Sequence, residues 1–282
     1  MRMGLLGSLV QPAGVARDVG KWARLSLRLL AADRRPAVYV LMYHRVGGGT
    51  TAEIDLPVDL FVRQLEYVRR RYRIVSLDAL ADLRTGAVPE NAVVLTFDDG
   101  HAEMYSVVLA VLRRFEAPAT IYLPTAYIED QRPFDWGHYT TLPESQRPRP
   151  LSWDQARILL ASGLITVGAH THTHLDLARA APLEIEREIT QANALLASRL
   201  GIRTRHFAYP FGRVSPAARA LVDRTYDTAV VGGSARNLSA ALSLKELYRM
   251  PVSASDGYWL FRLRLSTLPG RPPRRRGARE LT

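Results

Sequence analysis

Short apolar runs of strand length recur along this chain, and between them lie stretches whose apolar residues repeat at helical spacing. The runs cover residues 38–41, 74–76, 92–96, 119–123, 164–167, 206–208 and 228–231. The helical patterns include Leu60, Phe61, Leu65 and Val68, and later Ile185, Ile189, Ala192, Leu196 and Leu200. Apolar runs without alternation suit strands covered on both faces, and strands regularly followed by helices build a parallel sheet. The alternation therefore predicts an α/β fold. With 282 residues and 47% hydrophobic content, the chain can bury one substantial core, so a single main domain is expected.

Two of these runs end in residues that carry chemistry. The run at 92–95 passes into Thr96-Phe97-Asp98-Asp99-Gly100, ahead of an apolar stretch at 105–112 long enough for a buried helix. The run at 164–167 passes into Gly168-Ala169-His170-Thr171-His172-Thr173-His174. In a parallel sheet both strand ends open onto one face. Neighbouring side chains on a strand point to opposite faces, so Asp98 and Asp99 share a site only where the chain leaves extended geometry, and Gly100 permits that turn.

A metal held at roughly 2.0–2.1 Å brings two ligating nitrogens to about 3 Å from each other. Fully extended, His170 and His174 would stand about 13 Å apart. Spacing leaves two pairs open: His170 with His174 across a turn, or His170 with His172 at the strand end. Either pair with one aspartate gives three protein ligands and leaves a position for water, as catalytic sites do. Asp-Asp-Gly alone is a common turn, and histidines before Leu175 alone suit a solvated loop. Their joint placement at apolar strand ends points to one shared site.

These segments resemble the polysaccharide deacetylases, also called NodB-homology domains or carbohydrate esterase family four. The first motif of that family reads TFDDG, matched by Thr96 to Gly100. The second reads H-[ST]-x-x-H, matched by His170 to His174. The resemblance extends from about Val38 to about Leu265. Met42-Tyr43-His44-Arg45-Val46 and Phe207-Ala208-Tyr209-Pro210-Phe211-Gly212 look like the branch of poly-N-acetylglucosamine deacetylases. The resemblance implies a distorted (β/α) barrel with fewer than eight strands. It also implies Asp99, His170 and His174 as metal ligands, Asp98 as general base and His172 as a bystander.

Two departures from the family pattern stand out. Its third motif commonly has an arginine three residues before the proline, where this chain has Phe207, so another group must orient Asp98. Many members also carry a general-acid histidine near the domain's C-terminal end, yet the last histidine here is His206. In the branch with a first-strand histidine, the resemblance gives that work to His44, which the first strand places on the same face. The backbone N–H of Phe211, after the donor-less Pro210, matches the place from which the family donates to the oxyanion. Tyr209 and Phe211 would supply apolar, sugar-facing surface. The expected cofactor is a divalent metal ion, and zinc suits a His/His/Asp set.

The expected reaction is hydrolysis of the N-acetyl group of an amino sugar in a polysaccharide, oligosaccharide or lipid-linked glycan precursor. Two other readings compete. One is a carbohydrate-binding relic without catalysis, suggested by the two departures. The other is a non-haem iron oxygenase using His174, Asp176 and His206, whose usual antiparallel sheet the strand–helix alternation disfavours.

Formal net charge is +11, but the lysines are only Lys21 and Lys245, and no nucleic-acid recognition motif accompanies the arginines, so no nucleic-acid partner is expected. Cysteine is absent, which removes disulfides and thiolate ligands. The expected division is a basic amphipathic segment at 1–35, the deacetylase domain at 36–266 and an Arg/Pro-rich flexible tail at 267–282. In the first segment Arg17, Lys21, Arg24 and Arg28 share one helical arc. Val15, Val19, Trp22, Leu25, Leu29 and Leu30 face away. Residues 15–30 could thus lie on an anionic membrane surface, or pack their apolar face on the barrel. No run there approaches the roughly 20 apolar residues of a membrane span, nor is there an ordered secretion signal. The expected location is cytoplasmic, peripheral on the inner face of the membrane.

Overall fold

The computed structural model describes residues 36–82, 91–267 and 270–271. The basic segment at 1–35 and nearly all of the tail expected at 267–282 lie outside the described residues.

Six strands run parallel in the order they follow along the chain: β1 (Ala37–Tyr43), β2 (Ala92–Phe97), β3 (Ala119–Leu123), β4 (Ile165–Ala169), β5 (His206–Ala208) and β6 (Thr228–Val231). Antiparallel β7 (Arg236–Leu238) flanks β1. The chain then makes one passage through β8 (Leu247–Tyr248), parallel to β6, and β9 (Met250–Pro251), parallel to β1. That passage fills the gap between the sheet's two ends. The result is a nearly closed barrel of eight strands, seven parallel and one antiparallel, one parallel strand short of the full (β/α) barrel.

The closure uses a side chain as well as strands. Asn237 Nδ2 donates to the carbonyls of Val38 (3.2 Å) and Tyr248 (3.0 Å), while Tyr248 N–H donates to Asn237 Oδ1 (2.8 Å). The carboxamide thus acts as an extra peptide group between β7, β1 and β8.

Both strand faces are buried, which explains the unbroken apolar runs. With a period of two, Val38 and Val40, Ala92 and Val94, Tyr122, Ala208, Val230 and Leu247 fill the barrel interior. Their neighbours Tyr39, Leu41, Val93, Leu95, Phe97, Ile121 and Val167 join the larger core under the helices. Gly168 is required here: a Cβ would stand 2.4 Å from the Tyr122 ring.

The outer helices are α1 (Val58–Arg71), α2 (Leu109–Phe115, entered through a π-helical turn, Met104–Val108), α3 (Thr125–Asp130), α4 (Trp153–Ala161), α5 (Pro182–Leu200), α6 (Pro216–Thr225) and α7 (Gly257–Thr267). Leu60, Phe61, Leu65 and Val68 of α1, and Ile185, Ile189, Ala192 and Leu196 of α5, face the core as their spacing predicts. The expected strand at 74–76 is only a two-residue pair, Arg73–Ile74, beside the start of β2. No helix among the described residues is long and apolar enough to cross a membrane.

Candidate metal centre

The inward period of two continues past the strand ends. Beyond Met42, Thr96, Gly168 and Leu247, the next inward positions are His44, Asp98, His170 and Arg249, and all four line one pocket at the C-terminal mouth of the barrel.

Asp98 still belongs to the sheet, since its N–H donates to the Tyr43 carbonyl at 3.0 Å. Asp99 then takes φ 70° and Gly100 φ 65°, so the expected break in extended geometry begins at the second aspartate itself. A non-glycine residue in this left-handed region costs roughly 1–2 kcal/mol. Thr171 (φ 63°) and His174 (φ 62°) turn the histidine segment in the same way. Glu188 of α5 holds that segment: its carboxylate accepts the N–H groups of His172 and Thr173, both at 2.8 Å, and the Thr173 hydroxyl at 2.7 Å. Strained backbone of this kind persists where surrounding bonds over-determine it.

The turn selects between the two histidine pairs. Ligand atoms of Asp99, His170 and His174 lie within 4.8 Å of one another. Asp99 Oδ1 stands 3.6 Å from His170 Nε2 and 3.4 Å from His174 Nε2. A tetrahedral ion with bonds of roughly 2.0–2.1 Å separates its ligands by about 3.3 Å, which both aspartate–histidine separations approach. His172 instead meets the Thr125 hydroxyl at 3.0 Å through Nδ1.

Asp99 Oδ1 is buried without a hydrogen-bond partner, an arrangement a divalent metal ion resolves. His170 Nδ1 lies 2.8 Å from the Ala208 carbonyl, which fixes the proton there and leaves Nε2 with its lone pair toward Asp99. Burial, opposed by the Asp99 charge, lowers the His174 pKa to about 3, so its imidazole is neutral and ready to ligate. Burial works to raise the Asp99 carboxyl, but the nearby His101, His174, His44 and His170 hold it far below the usual range.

Asp98 is clamped by a residue that sequence reasoning missed. The buried Arg249 guanidinium donates to Asp98 Oδ1 at 2.6 Å and Oδ2 at 2.7 Å. Burial favours the neutral acid at Asp98; Arg249, with His170 and His44, outweighs it and keeps the carboxylate ionised. Phe207, in the place of the family arginine, is packed in the core against Tyr209 and Tyr226. The clamp comes from the barrel's closing passage instead. Its signal was a lone arginine inside the apolar run Leu247-Tyr248-Arg249-Met250.

His44 lines the same pocket with Nδ1 unpartnered. Burial lowers its pKa against the pull of Asp99 and Asp98. His101, fully buried, places Nε2 3.7 Å from Asp99 Oδ2. Trp136 stacks on His174 with ring centroids 4.0 Å apart, and Phe211 meets the same ring edge-on at 4.8 Å. Trp136 and Tyr139 come from the segment between β3 and α4, which also contains α3 and two 3-10 turns.

Phe211 lies in a turn at φ 58°. Gly212 N–H bonds to the Tyr209 carbonyl and Arg213 N–H to that of Pro210, so neither turn bond uses the Phe211 N–H. The Phe211 side chain lines the pocket, whereas Tyr209 does not: it is buried against Phe207, so the expectation of a sugar-facing Tyr209 is corrected. Pro210 is buried and absent from the lining. The oxygenase set does not assemble. His206 bonds to Asp78 (2.9 Å) and Thr228 (2.8 Å) at the start of its strand, away from the pocket, and Asp176 pairs with Arg213.

Solved structures share this fold. The Streptococcus pyogenes deacetylase PplD, in complex with acetate, superposes with a TM-score of 0.68 at 22% identity, over 82% of this chain and 99% of that one. IcaB from Ammonifex degensii gives 0.68 at 22% identity, over 82% and 97%. Among sequences, YxkH of Bacillus subtilis, which carries the polysaccharide deacetylase name, is 24% identical over 66% of this chain and 61% of its own length. The chitooligosaccharide deacetylase of Sinorhizobium fredii is 30% identical over 48% and 54%. The chain thus spans less than two thirds of these two relatives. The polysaccharide deacetylase family model matches residues 85–228, half of the chain, and takes in Asp98, Asp99, His170 and His174. The chain belongs to the polysaccharide deacetylase family.

Proposed function

We propose that this protein is a metal-dependent hydrolase that removes the acetyl group from an N-acetylated amino sugar in a glycan or a lipid-linked glycan precursor. The observation that carries the reading is the convergence of Asp99, His170 and His174 beside a carboxylate, Asp98, that an arginine keeps ionised. Asp99, His170 and His174 would hold the ion, with zinc favoured by the nitrogen-rich donor set. When bound, the ion supplies Lewis-acid polarisation of the acetyl group and lowers the pKa of water.

The chain's own groups do the rest. Asp98 accepts a proton from the attacking water. The Phe211 N–H faces the developing oxyanion, and hydrolysis ends with a proton delivered to the departing amine. His44 fits that delivery. Because burial leaves it neutral at ordinary pH, it must first receive the proton that Asp98 takes up. Phe211 and Trp136 wall the acetyl and sugar ring.

Acetate release from N-acetylglucosamine oligomers is the direct test. Activity should vanish with chelator and return with a divalent ion. Asp98→Asn should lower kcat at least a hundredfold with metal still bound, and His44→Ala should lower kcat by about 10²–10⁴. Full activity in Asp98→Asn would refute the base. A protein that binds metal but releases no acetate from any N-acetyl sugar would instead be a binding relic.

A further inference from the structure

Among the described residues, Trp259 is the most exposed large apolar side chain, with 65% of its surface in solvent. It stands in the first turn of α7 beside Tyr258, ring centroids 5.3 Å apart. The Arg262 guanidinium lies 4.8, 5.3 and 4.9 Å from the centroids of Tyr67, Tyr258 and Trp259, and Arg63 lies 4.5 Å over Tyr258. Tyr67 and Arg63 belong to α1, so two packed helices build one face of interleaved aromatic rings and guanidinium groups.

The two helices together carry a net positive charge. The α1 helix carries Arg63, Arg69, Arg70 and Arg71 against Asp59 and Glu66, and Glu66 pairs with Arg114 at 3.8 Å. Within α7 there is no acidic residue, and Asp256, just before it, is engaged by Arg264. Its location is also defined. Because β9 is parallel to β1, Pro251 lies at the end of the barrel where His44 emerges. The following turn is tied to Glu53, whose carbonyl accepts the Ala254 N–H at 2.8 Å and whose carboxylate accepts the Ser255 hydroxyl at 2.5 Å. Ile54, the next residue, lines the pocket. Helix α7 therefore starts at the pocket end of the barrel, and the aromatic face runs from there along the flank, since Tyr67 lies in the second half of α1.

We infer that the α1/α7 face seats the protein on an anionic lipid surface, with Trp259 at headgroup depth and the arginines on lipid phosphates, so that the pocket opens along the membrane toward an amino sugar carried on a lipid. The docking stands by itself; its last clause rests on the deacetylase reading. Tryptophan with an apolar body and a polar N–H is suited to the membrane–water boundary, and arginine adds attraction to anionic headgroups. A sugar platform fits less well, because Arg262 occupies space over the three rings that a pyranose would stack on.

Co-sedimentation of the full chain with vesicles tests this. It should pellet with phosphatidylglycerol-containing vesicles, stay in solution with pure phosphatidylcholine, and be released by salt. Arg63→Glu should weaken partitioning roughly fivefold or more, and Trp259→Ser comparably, while acetate release from soluble oligomers stays at the wild-type rate. A Trp259→Ser/Arg63→Glu double variant that pellets undiminished would overturn the inference, as would retention on insoluble N-acetylglucosamine polymer without vesicle binding. On vesicles, a lipid-linked N-acetyl sugar should be turned over faster by the wild type than by Trp259→Ser. If patch-dependent binding occurs but no substrate, soluble or lipid-linked, yields acetate, the docking holds and the deacetylase reading fails.

Discussion

The contact between Arg249 and Asp98 sets how the site responds to pH. Burial alone would push the Asp98 carboxyl upward, and the guanidinium holds it down. If Asp98 is the base proposed above, Arg249→Ala should therefore move the acid limb of kcat/KM to higher pH, because the carboxyl stays protonated over a wider range. Leaving a buried carboxylate unpaired should also cost about 3–5 kcal/mol of stability, read by chemical denaturation. Arg249→Lys restores a positive charge without the two-pronged fit and should fall between. An unmoved acid limb in Arg249→Ala would remove the arginine from the pH control of Asp98. Asp98, Asp99 and the histidine segment were legible in sequence because each sits at the end of a recognisable apolar strand. Arg249 was not, because β8 and β9 are too short to announce themselves. His101 and Trp136 were missed for another reason: both reach the site from irregular backbone, where no periodicity says which way a side chain points.

At the scale of elements, the strands supply direction and the loops supply reversal. The period of two delivers His44, Asp98, His170 and Arg249 inward, but Asp99 and His174 reach the same point only through left-handed backbone. Such turns are invisible to hydrophobic patterning, which is why sequence spacing left the histidine pair undecided. Helix α5 secures the second turn through Glu188. Glu188→Ala should weaken metal affinity by about 10–100-fold, the usual effect of losing a group that orients ligands. Calorimetric titration of the metal-free protein reads this directly, and unchanged affinity would mean that the turn holds itself. Seven parallel strands could be read from sequence only in part: six of the apolar runs became strands of the barrel, one proved a two-residue stub, and the closing passage went unseen because pairing, not local pattern, defines it.

For the molecule as a whole, the pocket concentrates groups that resist protonation. His174 titrates at about 3 when folded and near 6.5 when unfolded, so the unfolded chain binds the extra proton between those values. Stability of the metal-free protein should fall as pH drops from 6.5 toward 3. Asp98 and Asp99, both lowered, act in the same direction below their unfolded value of about 3.8. Thermal unfolding followed by circular dichroism across this range should show a midpoint that descends steadily with acid, and a flat profile above pH 4 would contradict the buried, neutral His174.

Finally, a ring made of strands needs a fastening, and here part of it is a single amide. Asn237 bridges strands that the chain visits more than two hundred residues apart, and its partner Tyr248 is one step along the backbone from Arg249, which clamps Asp98. Asn237→Ala should loosen that fastening and let Arg249 drift, so activity should fall further than the modest loss of three hydrogen bonds suggests, while the metal ligands, rooted in other strands, keep their grip. An enzyme that loses turnover yet still titrates one equivalent of metal would show that the hoop's clasp and the catalytic charge are one device.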